Sequence, residues 1–351
     1  MDESMNVGLQ EQILAELTIE LNKFDFPDFK ARQVFSWLHK KGVMSFEEMT
    51  DISKKHRDIL ESNFEIYNCA IERKRVSEID STVKYLFRLN DGEFIESVLM
   101  KYKYGYSLCV SSQVGCRMGC KFCASTVNGV VRNLTASEIL SQIHSAQNDE
   151  NIRVSHIVLM GMGEPLDNYD NVIKFLDLVG CQEGLNLSMR NISLSTCGVV
   201  PKIYDLMKKK YQITLSVSLH SPFDNLRSQI MPINRKYNVD ELIKACREYC
   251  EYTSRRISFE YSMINGVNDT DECATELSKL LKGMLCHVNL IPINNVRENN
   301  YEKSNRQRIE KFKSLLEKSG LNVTVRRSLG SDIEASCGQL RNKHITDRRD
   351  V

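Results

Sequence analysis

The chain has 351 residues, of which 42% are hydrophobic, enough to bury the core of a barrel-sized domain of about 250 residues and a smaller one of about 100. Because 47 Lys and Arg balance 46 Asp and Glu, the net charge of +1 excludes a globally basic nucleic-acid-binding protein, and any such site must be a local patch. No apolar run reaches the roughly 18 residues of a membrane span. The sequence has 12 cysteines and no N-terminal secretory leader, which indicates a reducing compartment. We therefore expect a cytoplasmic protein that is not attached to a membrane.

Residues 1–65 predict a small helical accessory domain. The spacing of apolar residues predicts helices near 8–22, 28–41 and 51–64. The second helix ends in His39-Lys40-Lys41-Gly42, basic residues followed by glycine, which is typical of a helix C-terminus. The basic helix ends could contact phosphate, or the module could simply brace the rest of the fold.

Residues 66–104 predict a β-hairpin extension. Two strand-like stretches, 83–89 and 94–100, are joined by Asn90-Asp91-Gly92, which is a strong hairpin signal. Glu96 lies in the second stretch. A strand glutamate is usually solvated, so its residue type alone assigns it no role.

The stretch from Cys109 to Cys123 carries the most specific signal. Cys116, Cys120 and Cys123 follow a C-x3-C-x2-C spacing, so one short loop can bring three thiolates together. An iron–sulfur cluster normally has four such ligands, and a cluster held by three would leave one iron open to a small molecule. The alternative is a structural zinc site that recruits Cys109 or a distant histidine as its fourth ligand.

From residue 105 to 341 the pattern alternates strands with helices. Strands are predicted at 107–111, 156–160, 191–195, 213–219, 257–263, 288–292 and 322–326, and helices near 135–147, 168–180, 201–210, 239–252, 271–283 and 302–319. The first of these helices opens with a capping box from Thr135 to Glu138. The alternation predicts parallel strands, an α/β fold and a partial barrel of about six β/α units, with residues 342–351 as a tail.

Polar residues follow several of these strands, at the ends that open on one face of a β/α barrel. The polar residues are Glu164, Ser195, Ser218, His220 and Asn294, and the same segments include Gly163 and Leu219. Taken singly, each could belong to a turn or be a satisfied polar group in the core. Cys337, on a glycine-flanked loop after the last strand, is placed to react, and Cys109 on the first barrel strand could face it across the barrel mouth.

These motifs resemble those of a known family. The cysteine loop, with Phe122 inside its second gap, resembles the signature of the radical S-adenosylmethionine (SAM) superfamily. The run 110–126 and the segment 132–135 are similar to one branch, the RlmN/Cfr family of RNA methyltransferases, and the likeness extends over about residues 28–341. It implies a partial (β/α)6 radical-SAM barrel, a [4Fe–4S] cluster, and two SAM molecules per turnover.

The resemblance also implies roles for individual residues. The cluster would be held by Cys116, Cys120 and Cys123, and SAM by Gly163, Glu164, Ser195, Ser218, Leu219, His220 and Asn294. Cys337 would carry the methyl group, Glu96 would accept a proton, and Cys109 would resolve the intermediate through a disulfide with Cys337. The chain departs from the family pattern at Ser97, where Thr is common, and at Asn295, where Pro is frequent.

The implied function is methylation of carbon 2 of adenosine in the peptidyl-transferase region of 23S rRNA and next to the anticodon of tRNA. A flavodoxin or ferredoxin would donate electrons to a monomeric enzyme. The Val114-Gly115 context and the helical accessory domain favour this branch over the alternative, methylation of carbon 8 of the same rRNA adenosine. A rival of another class is a non-catalytic, zinc-stabilised RNA-binding protein.

Overall fold

The computed structural model describes residues 9–293, 301–327 and 329–335. Three helices, α1 (Leu14–Asn22), α2 (Asp28–Ser36) and α3 (Lys54–Asn63), form its N-terminal part. Helix α2 continues as one π-helical stretch, Trp37–Lys41, and ends at Gly42, whose φ of 63° is easily adopted only by glycine. The predicted helices are therefore confirmed, and their apolar faces join the same buried core as the strands.

Twelve strands are present in the described ranges. They are β1 (Ala70–Val76), β2 (Val83–Arg88), β3 (Phe94–Tyr102), β4 (Gly105–Cys109), β5 (Gln113–Gly115), β6 (Val130–Asn133), β7 (Val154–Leu159), β8 (Ile192–Thr196), β9 (Thr214–Ser218), β10 (Ile257–Met263), β11 (Cys286–Pro292) and β12 (Val323–Val325). Ten form one sheet in the order β1-β2-β3-β4-β7-β8-β9-β10-β11-β12, antiparallel up to β4 and parallel from there on. The predicted parallel α/β barrel is confirmed.

The helices that connect the parallel strands cover the outside of the sheet. They are α4 (Ala136–Glu150), α5 (Tyr169–Gly180), α6 (Val200–Lys209), α7 (Asp224–Ile230), α8 (Val239–Thr253), α9 (Asp271–Leu281) and α10 (Arg306–Lys318). The predicted capping box is present, since the Thr135 side chain accepts a hydrogen bond from the Glu138 amide. Apolar residues on the helix-covered face of the strands, such as Leu194 and Leu215, are fully buried, so the strand ends that carry polar groups rest on a rigid core.

Four elements, β1, β5, β6 and α7, were not predicted. Strand β1 is mostly exposed at the sheet edge, so it lacks the apolar alternation that marks a half-buried strand. Strands β5 and β6 pair with each other around the cysteine loop but have only three and four residues, and the short helix α7 lies between β9 and α8. The proposed domain boundaries near residues 65, 104 and 341 stay predictions. No helix within the described ranges is both long and apolar enough to cross a membrane.

Candidate active site

The cysteine loop lies between β5 and β6, which clamp its two ends. The amide of Cys116 donates to the carbonyl of Gly129 at 2.9 Å. Gly115 has a φ of 78°, and a Cβ there would lie 2.0 Å from the Gly129 oxygen, so this closure requires glycine. The hydroxyl of Thr126 donates to the carbonyls of Cys120 and Cys123 at 3.1 and 2.9 Å. The loop thus has a fixed shape in which its cysteines are presented together.

Cys116, Cys120 and Cys123 line a single cavity of about 190 Å³ at the carboxyl ends of the parallel strands. The structure brings most of the predicted binding residues to this cavity, namely Gly163, Glu164, Ser195, Ser218 and His220. Leu219 lies beside them but has its side chain in the apolar core. Asn294 lies outside the described residues.

Glu164 is buried at the end of β7 and faces the cavity. The amides of Cys197 and Leu166 donate to its two carboxylate oxygens at 2.7 and 3.0 Å. Burial raises the pKa of Glu164, and these backbone donors oppose that effect. Since each carboxylate oxygen has two lone pairs, Glu164 retains capacity to accept hydrogen bonds from a cationic ligand.

Gly163 has a role that its sequence context did not reveal. Its φ is 102°, and a Cβ would lie 2.6 Å from the Gln113 Cβ and 2.7 Å from the Gln113 nitrogen. The side-chain oxygen of Gln113 in turn accepts a hydrogen bond from the Glu164 amide at 2.9 Å. Glycine therefore allows the end of β7 to pack directly against β5, the strand that leads into the cysteine loop.

His220 is neutral and packs against the cysteine loop. Burial, assisted by the positive charge of Arg227, lowers the pKa of His220 to about 3. Its Nδ1 accepts a hydrogen bond from the Ser262 amide at 2.9 Å, so the ring proton is on Nε2. The ring meets that of Phe122 edge-on, with centroids 4.7 Å apart. His220 thus couples the end of β9 to the aromatic residue in the middle of the cysteine motif.

Arg227 was missed by sequence reasoning because a helical arginine usually indicates an exposed face. It is fully buried, and its guanidinium donates to the carbonyls of Cys197, Ser218 and Leu219 at 2.8 to 3.0 Å. The side chain of Asn234 accepts a further hydrogen bond at 2.9 Å. Arg227 therefore ties together the ends of β8 and β9, which carry the binding residues.

A second, smaller cavity of about 70 Å³ adjoins the first. Glu96 and Cys109 line it, and Met160, Gly161 and Arg326 line both cavities. The prior expectation that Glu96 is solvated is wrong, because the residue is only 4% exposed. In the register of β3 and β4, Val98 is opposite Cys109, which makes Glu96 and Cys109 diagonal neighbours on one face of the sheet.

The loop that leads to Cys337 reaches this second cavity through Ala335, which lines it. Cys337 itself lies outside the described residues. Sequence reasoning also missed Lys84 and Glu260, and it left the role of Cys197 open. Lys84 forms an ion pair with Glu96, with 3.7 Å between the ammonium nitrogen and Oε2, whereas Glu260 and Cys197 line the first cavity. No motif in the sequence marks any of the three.

Comparisons with known proteins show which family this chain belongs to. A model described as the radical SAM superfamily matches residues 110–277, and one described as the ribosomal RNA large subunit methyltransferase N-terminal domain matches residues 7–66. A Clostridium novyi (strain NT) protein, called probable dual-specificity RNA methyltransferase RlmN, is 54% identical over 332 residues, covering 95% of this chain and 97% of that one. The chain belongs to the RlmN family of the radical SAM superfamily.

Two further comparisons extend over most of this RlmN-family chain. A protein of the same name from Lachnospira eligens is 53% identical over 91% of each chain. The crystal structure of a radical SAM methyltransferase from Sphaerobacter thermophilus superimposes with a TM-score of 0.91 at 41% identity, covering 95% of this chain and 98% of that one. The family resemblance and the fold predicted from the sequence are thereby confirmed.

Membership of the superfamily identifies the cofactors as a [4Fe–4S] cluster and SAM. The residues fit such a cluster, because three thiols from one loop line a common cavity. Burial and the neighbouring charges of Cys123, Glu164 and Asp167 raise the pKa of Cys116 to about 12, so bound cations are needed to hold these sulfurs together as thiolates.

The alternative of a zinc site requires ligands that surround one ion. Among the residues that the structure describes, no three His, Cys, Asp or Glu side chains converge on one point as ligands of a single ion must. In a cluster each thiolate binds a different iron, so its ligands need not converge.

Proposed function

We propose that this chain methylates carbon 2 of adenosine in 23S rRNA and in tRNA, as a radical SAM enzyme of the RlmN family. The observation that carries the proposal is the adjacency of the two cavities. One is lined by the cysteine triad, and the other by Glu96, Cys109 and the loop that leads to Cys337. The names of the relatives, dual-specificity RNA methyltransferases, support RNA as the substrate.

In this proposal Cys116, Cys120 and Cys123 would hold the cluster, and SAM would bind beside it in the cavity that they line. Glu164 accepts hydrogen bonds from the amino group of SAM, and Gly163 exposes the backbone beside it. Ser195, Ser218, Leu219 and His220 surround the nucleoside and carboxylate, with Asn294 at the adenosine end. When bound, the cluster and SAM supply a 5′-deoxyadenosyl radical, which removes hydrogen from a methyl group.

A radical is needed because carbon 2 of adenine is an sp² carbon and a poor nucleophile. Cys337 first takes a methyl group from one SAM molecule, and that methyl group, once activated with a second SAM, joins the base and links protein to RNA. Cys337 is two residues beyond Ala335, and two residues of chain span at most about 7 Å. This distance supports a methylated thiol beside the second cavity.

Glu96 and Cys109 complete the reaction in this proposal. The carboxylate of Glu96 would accept the proton from the ring carbon, and the bound cluster would take up the unpaired electron of the adduct. The Cys109 thiolate would then attack the Cys337 sulfur, so that the carbon–sulfur bond breaks, the released methylene carbon takes up a proton and becomes the methyl group, and a disulfide forms that a reductant must cleave before the next turnover. Their positions as diagonal neighbours on β3 and β4 support these roles, because both face the same small cavity. A disulfide further requires the two Cα atoms to come within about 7 Å.

The proposal also covers the location of the enzyme, its electron donor, its oligomeric state and its contact with RNA. Ribosomal and transfer RNA place it in the cytoplasm, a flavodoxin or ferredoxin supplies electrons, and the chain acts as a monomer. Arg326 is exposed at the rim shared by both cavities, where it can contact a phosphate of an RNA whose target base is turned out of its stack.

Nucleoside analysis of RNA treated with the reconstituted enzyme tests the proposal. We expect 2-methyladenosine in both 23S rRNA and tRNA, and no product from Cys337→Ala, which should still bind SAM. Mass spectrometry of the purified wild-type protein should find a methyl group on Cys337. Appearance of 8-methyladenosine would contradict the assignment of the ring position, and full activity of Cys337→Ala would contradict the methyl-carrier role.

A further inference from the structure

Lys84 is a buried lysine at the second cavity. Its side chain is fully buried on β2, and its ammonium nitrogen lies 3.7 Å from Oε2 of Glu96. In the sheet register Lys84 is opposite Val98, and Val98 is opposite Cys109. All three side chains, and that of Glu96 two residues from Val98 along β3, therefore share one face of the sheet. A lysine is almost never fully buried unless its ammonium group is paired with a partner, because desolvation of its charge is costly.

The same ammonium group also holds the loop that leads to Cys337. It donates a hydrogen bond to the carbonyl of Glu334 at 2.6 Å. Lys84 thus bridges the Glu96 carboxylate on one side and a backbone atom three residues before Cys337 on the other.

Docking of this loop does not depend on Lys84 alone. The carboxylate of Asp332 accepts hydrogen bonds from the Ser77 hydroxyl at 2.7 Å and from the Glu78 amide at 2.9 Å. The Gly330 amide donates to Asp80 at 2.9 Å. The turn between β1 and β2 therefore fastens the loop independently, and Lys84 differs from these contacts because it also reaches Glu96.

We propose that Lys84 is a positioning residue for Glu96. Its ammonium group keeps the buried carboxylate ionised, and so able to accept a proton, and it sets the place of that carboxylate relative to the loop leading to Cys337. This inference rests on the proposed role of Glu96 as proton acceptor. A positioned base contributes about 10² to 10⁴ to a rate, and misplacement by 1 Å costs about 10²-fold.

The test uses the full chain with its cluster in four variants: Lys84→Met, Glu96→Gln, the double variant, and Asp332→Asn. The last is the matched control, because it weakens loop docking without touching Glu96. Single-turnover methylation is measured on RNA whose target adenine carries hydrogen or deuterium at carbon 2. We expect Lys84→Met to slow methylation about 10²-fold and to raise the isotope effect, since proton removal becomes limiting.

The variants separate positioning from loop docking. Asp332→Asn should leave the isotope effect as in the wild type, and Lys84→Met should add little to the loss caused by Glu96→Gln, because both act on one group. Hydrogen exchange of the amides in 329–335, measured without the cofactors, should rise no more in Lys84→Met than in Asp332→Asn. If Lys84→Met unfolds, Lys84→Arg, which keeps the charge, should methylate within about tenfold of the wild type with an unchanged isotope effect.

An unchanged isotope effect in Lys84→Met, or a full additional loss in the Glu96→Gln background, would overturn the role of Lys84 while leaving the proposed function intact. A greater than tenfold loss in Lys84→Arg with unchanged hydrogen exchange would do the same. A wild-type enzyme that makes no methyladenosine would overturn both proposals.

Discussion

Replacement of Gly163 by alanine should damage both stability and SAM binding. The residue has a φ of 102°, which is strained for alanine, and its new Cβ would lie 2.6 and 2.7 Å from two atoms of Gln113, one of them a backbone nitrogen. The backbone strain costs about 1–3 kcal/mol, and the overpacking costs about 1–3 kcal/mol more. The expected loss in the free energy of unfolding is therefore about 2–6 kcal/mol.

Gly320→Ala is the matched control. Gly320 has a φ of 84°, and a Cβ there would meet no atom within 4 Å, so this variant carries the backbone strain without the clash. The difference between the two variants isolates the contact with Gln113, which we expect to be worth about 1–3 kcal/mol.

Urea unfolding of the cofactor-free protein measures the two stability losses, and calorimetry on the reconstituted protein measures SAM affinity. We expect Gly163→Ala to bind SAM about tenfold more weakly, which corresponds to about 1.4 kcal/mol, because relief of the clash shifts the end of β7 beside Glu164. Gly320→Ala should bind SAM like the wild type. Equal unfolding losses in the two variants, or unchanged SAM affinity in Gly163→Ala, would refute the reasoning.

Further predictions concern the sulfurs and one buried histidine. Cys120→Ala should lose most of the roughly four irons of the anaerobically reconstituted protein, whereas Cys197→Ala, at the wall of the same cavity, should keep them; equal iron contents would contradict the ligand assignment. Cys109→Ala should accumulate a covalent protein–RNA species on denaturing gels and Cys250→Ala should not, so normal turnover of Cys109→Ala would count against the resolving role. Burial lowers the pKa of His144 to about 4 from its usual 6.5, so the folded state binds fewer protons than the unfolded state. The free energy of unfolding is therefore unaffected by this histidine above pH 6.5 and falls as the pH drops towards 4, with a loss of about 2 kcal/mol at pH 5. Urea titrations at pH 7 and 5 should show a smaller loss in His144→Gln, and an unaltered pH dependence would exclude this histidine as the cause.

Much of the barrel was predictable because its strands are buried. The strand at 257–263 was predicted at its observed bounds, Ile257–Met263, since apolar residues stand at every second position, which is the period of a strand. Strand β1 was not predicted because its charged side chains are exposed at the sheet edge. Strand β1 forms because it pairs with β2, and sequence periodicity does not reveal that pairing.

The residues of the site likewise differ in how far the sequence could predict them. The cysteine triad was predictable because its spacing lies within one loop, where local sequence determines geometry. The burial of Glu96 depends on Lys84, which lies on the adjacent strand β2, and on the loop that contains Glu334, 250 residues from Lys84 in the chain. Arg227 likewise contacts carbonyls that precede it along the chain by up to 30 residues. Contacts of this kind arise only when the fold brings distant segments together.

The end of β7 is the element that joins the two halves of the proposed chemistry. Met160 and Gly161 line both cavities, Glu164 faces the first, and Met162 faces the second. A Cβ on Gly161 would lie 2.6 Å from the Val110 carbonyl, so glycine keeps this wall only one backbone thick. In the proposed reaction, chemistry initiated beside the cysteine triad would therefore have to pass only this thin wall to reach the second cavity. The proximity that such a reaction requires follows from how tightly one strand end packs against its neighbours.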